Sequence, residues 1–321
     1  MSERSPARGD RALVTGGAGF IGSHIVQALL DRGLHVTVLD DLSTGFVRNL
    51  PLGDRLRFVE GDVRDEADVC LAMEGAQWVL HHAALVSVPL SVEQPALAEA
   101  INVRGTENVF GLAGELGVRA VTFASSAAVY GETGAGPVDE DSTLAPLSPY
   151  GETKLAGEAL AKRFSLEHPA TAYVPLRYFN IYGPRQDPTG PYAAVIARFL
   201  QDLRDSGQVT LFGDGGQTRD FCSVHDVVQA NWLALSRGSR GRATPVNVGS
   251  GVETTVLELA RVLARVLGVS LAFRHAPSRA GDIRYSLASI ARAKAVLGYA
   301  PAWSLEVGLR ELCAWESACD P

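Results

Sequence analysis

Long apolar runs are missing from this chain. No stretch approaches the roughly 18 consecutive apolar residues needed to cross a bilayer. The opening residues, Met1 to Asp10, are polar and read as a short tail rather than a secretion signal. Cysteine is scarce: Cys70, Cys222, Cys313 and Cys319 are scattered, with neither disulfide-framework nor metal-ligand spacing. A reducing cytoplasm is then the simplest compartment, and no metal is expected. Basic charge is in deficit, 29 Lys and Arg against 36 Asp and Glu, for a net charge of −7. That argues against nucleic acid or an anionic membrane as partner, and leaves an anionic small molecule only where arginines are placed locally. No internal repeat or low-complexity tract stands out. What remains is ordinary globular composition, 46% hydrophobic and 20% charged over 321 residues, enough for one large α/β domain or two.

The first half alternates short apolar runs with helical patterns. "RALVTG", "HVTVLD", "LRFVEGD", "QWVLHHAA", "RAVTFASS" and "TAYVPLRYF" read as strands. Between them, "FIGSHIVQALLDRG" reads as a helix ended by Gly33, and residues 94–116 as one long helix. This alternation predicts an α/β fold with a doubly wound parallel sheet of the Rossmann type. Residues 1–179 are expected to form it, with a segment near 222–250 returning through the short strand "PVNVGSG". Residues 180–321 become irregular and turn-rich, and are expected to form mainly a smaller substrate-binding α/β domain with helices around 254–267 and 289–297.

Gly16, Gly19 and Gly22 lie in "VTGGAGFIGSH", directly after a predicted strand and opening a helix. Glycines there let the backbone turn tightly and approach a pyrophosphate seated at the helix N-terminus. The spacing is G-x-x-G-x-x-G, not the commoner G-x-G-x-x-G. Asp40 ends the second strand, where a carboxylate hydrogen-bonds ribose hydroxyls and repels a 2′-phosphate, so the expected cofactor is NAD. Asp62 and Val63, after the third strand, read either as a frame for adenine or as a plain strand-ending turn.

"SPYGETKLAGEALAKRF" sets Tyr150 and Lys154 four apart, on one helix face just past a Ser148 cap and Pro149. By itself this is an ordinary surface pair. The predicted strand "RAVTFASS", however, ends in Ser126, and ligands of a doubly wound sheet sit beyond the carboxyl ends of its strands. G-x-x-G-x-x-G, a strand-end serine and Tyr-x-x-x-Lys together resemble the extended short-chain dehydrogenase/reductase family over nearly the whole chain. The resemblance implies that Ser126, Tyr150 and Lys154 are catalytic. A free phenol, with a pKa near ~10, is a poor base at neutral pH. An adjacent ammonium and a positive nicotinamide ring would both favour the phenolate. Lys154 would also hold the nicotinamide ribose, and Ser126 the reacting sugar hydroxyl.

The resemblance further implies NAD contacts from Phe20 and Ile21, from Asp41, Ser43, Thr44 and Gly45, from Ala83, Ala84 and Ser87, and from Asn102 and Tyr178. It implies a UDP-sugar substrate held by Ser87, Asn180, Ala194, Val195 and Thr210, with Arg219, Arg279 and Asp282 at its diphosphate and ribose. A homodimer is implied, built on the helices at 94–116 and 148–166. Family dehydratases carry Thr-Asp-Glu where this chain has Ser126-Ala127-Ala128, which favours a 4-epimerase. "SVPLSVEQP", "RQDPTGPYAAVIARF" and "GDGGQTRDFC" are similar to bacterial UDP-N-acetylglucosamine 4-epimerases. Ser286 falls where epimerases restricted to non-acetylated sugars place a tyrosine; a registration shifted by one puts Tyr285 there. UDP-glucose or UDP-glucuronate 4-epimerisation is the alternative, a dehydratase a more distant one, and a non-enzymatic NAD sensor a third. Leu90 replaces a family arginine and Val86 a family lysine. His81 and His82 are expected to pack beside the cofactor rather than bind metal.

Overall fold

The computed structural model describes residues 5–187, 194–238, 241–277 and 283–319. Along the first part of the chain, strand β1 (Arg11–Thr15) leads to helix α1 (Phe20–Asp31), β2 (His35–Asp40), β3 (Leu56–Glu60), α2 (Glu66–Met73) and β4 (Trp78–His81). There follow α3 (Val88–Glu93), α4 (Pro95–Glu99), α5 (Gly105–Glu115), β5 (Ala120–Ser126), α6 (Pro149–Glu167) and β6 (Ala172–Tyr178). With β11 (Val246–Val248) these strands make one seven-stranded sheet in the order β11-β6-β5-β4-β1-β2-β3, every neighbouring pair parallel. Strand order reverses beside β1, where the chain steps back from β3 to β4; this opens a crevice at the strands' carboxyl ends.

The strands read as unbroken apolar runs because both faces are covered. Ala12 and Val14 of β1 pack with Ile25, Val26 and Leu29 of α1 on one side. Leu13, pointing the other way, joins Val69, Phe110, Phe123 and Phe164. The helix expected at 94–116 is a continuous helical stretch from Pro95 to Glu115, but residues Ala100–Arg104 wind as a π-helix between α4 and α5. Asn102 lies in that wider turn, buried, with its amide bonded to both backbone groups of Leu85 and to Thr153.

Helix α6 starts where its local sequence sets it. Ser148 caps by accepting from the Gly151 N–H at 3.2 Å, and Pro149 takes the first helical position. The helix lies tight on the sheet: a Cβ at Gly157 would come within 2.4 Å of the Phe123 ring.

The chain continues through β7 (Asn180–Tyr182), α7 (Ala194–Ser206), β8 (Gln208–Phe212), β9 (Thr218–Arg219), β10 (Phe221–Ser223) and α8 (Val224–Arg237). After β11 come β12 (Thr254–Thr255), α9 (Val256–Leu267), β13 (Ala272–Ala276) and α10 (Leu305–Cys319). β7 pairs with β10, β8 with β13 and β9 with β12, three short sheets beside the main one. Their helices share a separate apolar cluster that includes Phe199, Leu203, Leu211, Leu259, Leu263 and Leu309. A full capping box, Thr255 with Glu258, starts α9, and left-handed Gly268 ends it.

Beneath the crevice, α6 is tied to the sheet by a buried ion pair. Arg177 of β6 and Glu158 of α6 meet at 2.7 Å with side chains 2% and 6% exposed, and Ser125 donates to the same carboxylate at 2.6 Å. Arg177 also donates to the Tyr130 hydroxyl and the Glu140 carbonyl. Removing one partner strands the other charge in the core. Arg177→Leu is expected to lower unfolding free energy by about 3–5 kcal/mol in urea denaturation; a change under about 1 kcal/mol would show that the pair is not holding α6.

Candidate active site

The glycine turn between β1 and α1 has no room for side chains. Gly16 is left-handed at φ +66, and a Cβ there would meet the Ala83 nitrogen at 2.6 Å. A Cβ on Gly22 would lie 2.1 Å from the Gly16 carbonyl oxygen. Gly19 caps α1 with no side-chain hydrogen bond and no acid follows in the first turn, so the helix supplies no carboxylate of its own to its positive end.

Asp40 closes β2 and braces this turn, accepting from the Ala18 N–H and the Leu42 N–H, each at 2.9 Å. Burial raises its pKa, while those two N–H groups oppose the rise. Asn49 donates to the Ala18 carbonyl from the other side. A bare helix end, a cradle that a Cβ would fill and a strand-end carboxylate together fit a dinucleotide.

All of this borders one cavity of about 1220 Å³, which runs from Asp41, Ser43 and Thr44 at one end to Thr210 and Arg219 at the other. That is room for a dinucleotide and a sugar nucleotide side by side. Phe20, Ile21, Asp62, Val63, Ala83 and Ala84 line the first part. Asp62 is paired with Arg64, which holds its carboxyl below the usual range. Ser87 lines the cavity while capping α3.

Ser126, Tyr150 and Lys154 come together in the middle. The Ser126 hydroxyl hydrogen-bonds the Tyr150 side chain. Lys154 stands with its ammonium 5.7 Å from the centre of the Tyr150 ring and 5.2 Å from that of Phe123. Burial dominates both titrations: it raises the Tyr150 phenol, which the Ser126 bond opposes, and lowers Lys154 to about 7. Among the described residues no carboxylate pairs with Lys154. Its charge is therefore left for the phenol and for whatever the cavity holds.

Tyr178 lines the cavity with its hydroxyl on His82 Nε2 at 3.0 Å and on Asn231 at 2.7 Å. His81 is buried between Thr15 and Thr106, and burial drives both histidines down, His82 to about 4, so they are neutral. Among the described residues no three His, Cys, Asp or Glu side chains gather into a metal-binding group, and no helix is long and apolar enough to cross a membrane.

Of the residues expected to hold a substrate, Asn180, Val195 and Ser286 line the cavity. Arg219 does too, with its guanidinium steadied by the Thr218 and Ile283 carbonyls. Tyr285 also reaches the wall, and its hydroxyl hydrogen-bonds Arg284, which forms a two-bonded pair with Asp214. Two expected contacts do not border the cavity. Asn102 spends its amide bracing residue 85, and Gly45 packs on Ala18 and Asp40, so both support the wall from behind. Arg279 and Asp282 lie outside the described residues, as does the side chain of Ala194. Arg185, Phe179 and Asn49 line the cavity without having been given a role from the sequence, although Arg185 opens the family-like stretch "RQDPTGPYAAVIARF".

Fold and cradle together define a Rossmann-type dinucleotide-binding protein. The family model described as "NAD dependent epimerase/dehydratase family" matches residues 12–249, and the chain belongs to that family. A UDP-glucose 4-epimerase of Mycolicibacterium smegmatis is 40% identical, over 93% of this chain and 96% of its own. The structure of a UDP-N-acetylglucosamine 4-epimerase from Methanobrevibacter ruminantium, in complex with UDP-N-acetylmuramic acid, superposes with a TM-score of 0.91 at 35% identity, over 97% of this chain and 99% of that one. That of a Thermus thermophilus UDP-glucose 4-epimerase with NAD gives 0.85 at 38% identity, over 95% and 98%.

Two outcomes follow from this geometry. Gly22→Ala drives a methyl group into the Gly16 carbonyl, so NAD titration of the variant should show affinity lost; an unchanged Kd would mean the turn is not the cradle. Lys154 carries a proton in the unfolded chain up to about 10.5 but in the fold only to about 7. The unfolded state therefore binds more protons between those values, and stability rises with pH across that window. NAD-free Lys154→Met should melt above wild type at about pH 7, with the difference shrinking toward about pH 9. A variant that melts lower throughout would refute this.

Proposed function

We propose that this protein interconverts the C4 epimers of a UDP-sugar, and that the sugar is N-acetylated, UDP-GlcNAc and UDP-GalNAc. The observation that carries the first part is the meeting of Ser126, Tyr150 and Lys154 inside a cavity large enough for two nucleotides, with Ala127 and Ala128 following the serine. NAD, when bound, supplies reversible oxidation of a sugar carbinol to a ketone. Tyr150 takes the C4 hydroxyl proton on its Oη and later returns it. Ser126, bonded to that phenol, orients the same hydroxyl. Lys154, across the ring, favours the phenolate by its charge and offers N–H donors to a ribose. Alanines at 127 and 128 provide no acid to expel a hydroxyl from the keto sugar, so after the sugar has turned the ketone would be reduced again by return of the same hydride to C4, while Tyr150 gives its proton back to the C4 oxygen.

Ser286 supports the acetylated reading. Tyr285 is engaged with Arg284, which leaves the small serine as the neighbour of a C2 substituent. The Methanobrevibacter ruminantium relative, named for UDP-GlcNAc, agrees. The Mycolicibacterium smegmatis relative, named for UDP-glucose, favours the second reading, epimerisation of the unsubstituted sugar. The homodimer would use the helices at 94–116 and 148–166, where Leu116, just past α5, and Leu166 of α6 are 52% and 69% exposed.

Proton NMR of the protein with NAD+ and either UDP-GlcNAc, UDP-glucose or UDP-glucuronate tests the assignment. UDP-GalNAc should form faster than the other epimers; UDP-galactose forming faster would return the preference to the unsubstituted sugar. Tyr150→Phe should cut turnover by about a hundred- to ten-thousandfold while NAD affinity holds, and full activity would sink the mechanism. Ser286→Tyr should slow UDP-GlcNAc at least about tenfold more than UDP-glucose, a loss of about 1.4 kcal/mol. Equal slowing would remove Ser286 from the specificity argument.

A further inference from the structure

Arg185 takes no part in the chemistry described above. It follows β7 in "YGPRQ" and adopts a left-handed backbone, φ +66, one of two non-glycine residues with positive φ among those described. A residue with a Cβ held there signals a position fixed by its surroundings.

Those surroundings are the first two turns of α1. His24 donates from Nε2 to the Pro184 carbonyl at 2.8 Å, and burial keeps its imidazole neutral with a pKa near about 4. Gly183 passes so close that a Cβ there would meet Val224 at 2.6 Å and the Phe20 ring at 3.7 Å. His24 packs edge-on against Phe20, and against His225, which is in turn held by Glu311 and by stacking on Trp303. The turn carrying Arg185 is thus bolted to the helix whose bare N-terminus faces the cavity.

The guanidinium has no counterpart there. Its Nη1 is sealed from solvent without a hydrogen-bond partner, and among the described residues no carboxylate forms an ion pair with it. Burial alone lowers its pKa, the mark of a cation with no opposite charge nearby. Yet Arg185 lines the cavity. A half-buried guanidinium with a sealed, unpaired nitrogen is costly unless something else neutralises it. The open end of α1 adds positive potential on the same side.

We propose that Arg185 is a diphosphate ligand: its guanidinium binds the diphosphate of a nucleotide in the cavity, and His24 holds the turn that presents it. The bidentate fork of arginine suits phosphate oxygens. The inference rests on reading the cavity as the site of NAD and a UDP-sugar, both of which carry that group.

Calorimetric titration of NAD-free full-length protein with NAD+ and, separately, with UDP tests it, together with the melting temperature of the empty protein. Arg185→Met should weaken one of the two nucleotides by about ten- to hundredfold. Loss on NAD+ assigns the dinucleotide's diphosphate, and loss on UDP that of the substrate. Arg185→Lys, which keeps the charge, should recover part of the loss. The empty Met variant should melt no lower than wild type, because it relieves an unpaired cation. Unchanged affinity for both nucleotides would overturn the assignment. So would an empty variant that melts lower, since that is the signature of a structural arginine. Wild-type protein that bound neither nucleotide would overturn the reading of the cavity itself.

Discussion

Backbone lies against backbone where β1 passes into α1, and much of the site depends on that contact. The Gly22 α-carbon sits so near the Gly16 carbonyl, and Gly16 so near residue 83, that no side chain fits between. This closeness lets α1 begin directly above the sheet and aim its unpaired N–H groups into the crevice where strand order reverses. Asp40 and Asn49 fasten the turn from either side through Ala18. Once the turn is set, the end of β4, with His82 and Ala83, is placed against it, and the cavity wall follows from there.

The end of the cavity around Tyr150 and Lys154 has the opposite character. Packing around the glycine turn is dense, and Asp40 and Asn49 pair with the backbone of Ala18. Around Tyr150 and Lys154 the protein holds a buried ammonium without a carboxylate, beside a phenol whose proton burial retains. Arg185 repeats the pattern nearer α1. Cations kept in low-dielectric surroundings act strongly on charge that develops beside them, at a cost to the stability of the empty fold. Packing elsewhere offsets that cost: the Arg177–Glu158 pair and the aromatic cluster of Phe110, Phe123, Phe164 and Tyr173 anchor α6 from below.

Several features were legible because local chemistry decides them. Ser148-Pro149 starts α6, and the unbroken apolar runs mark strands buried on both faces. The glycine spacing and the Tyr-x-x-x-Lys step were readable for the same reason, since each lies within a turn or two of chain. Asn102 shows where such reading stops. The family resemblance implies a cofactor contact for it, but in the π-turn its amide bonds to Leu85 and Thr153, which are 17 and 51 residues away. Gly45 was likewise set behind the wall by its packing on Ala18.

Taken alone, the sequence determined the doubly wound class of fold, the site of the dinucleotide turn and the pairing of Tyr150 with Lys154, because each is a matter of short-range backbone geometry and periodicity. Tertiary structure decided what those groups experience. Lys154 is one of only three lysines in the chain, yet nothing near it in sequence announces that it is buried with no carboxylate partner among the described residues. That state comes from Phe123 and the surrounding strands. The turn that carries Arg185 is likewise tied down by His24, 161 residues earlier in the chain, through the Pro184 carbonyl. Burial and charge pairing are sums over neighbours distant in sequence, and they exist only once the sheet has brought those neighbours together.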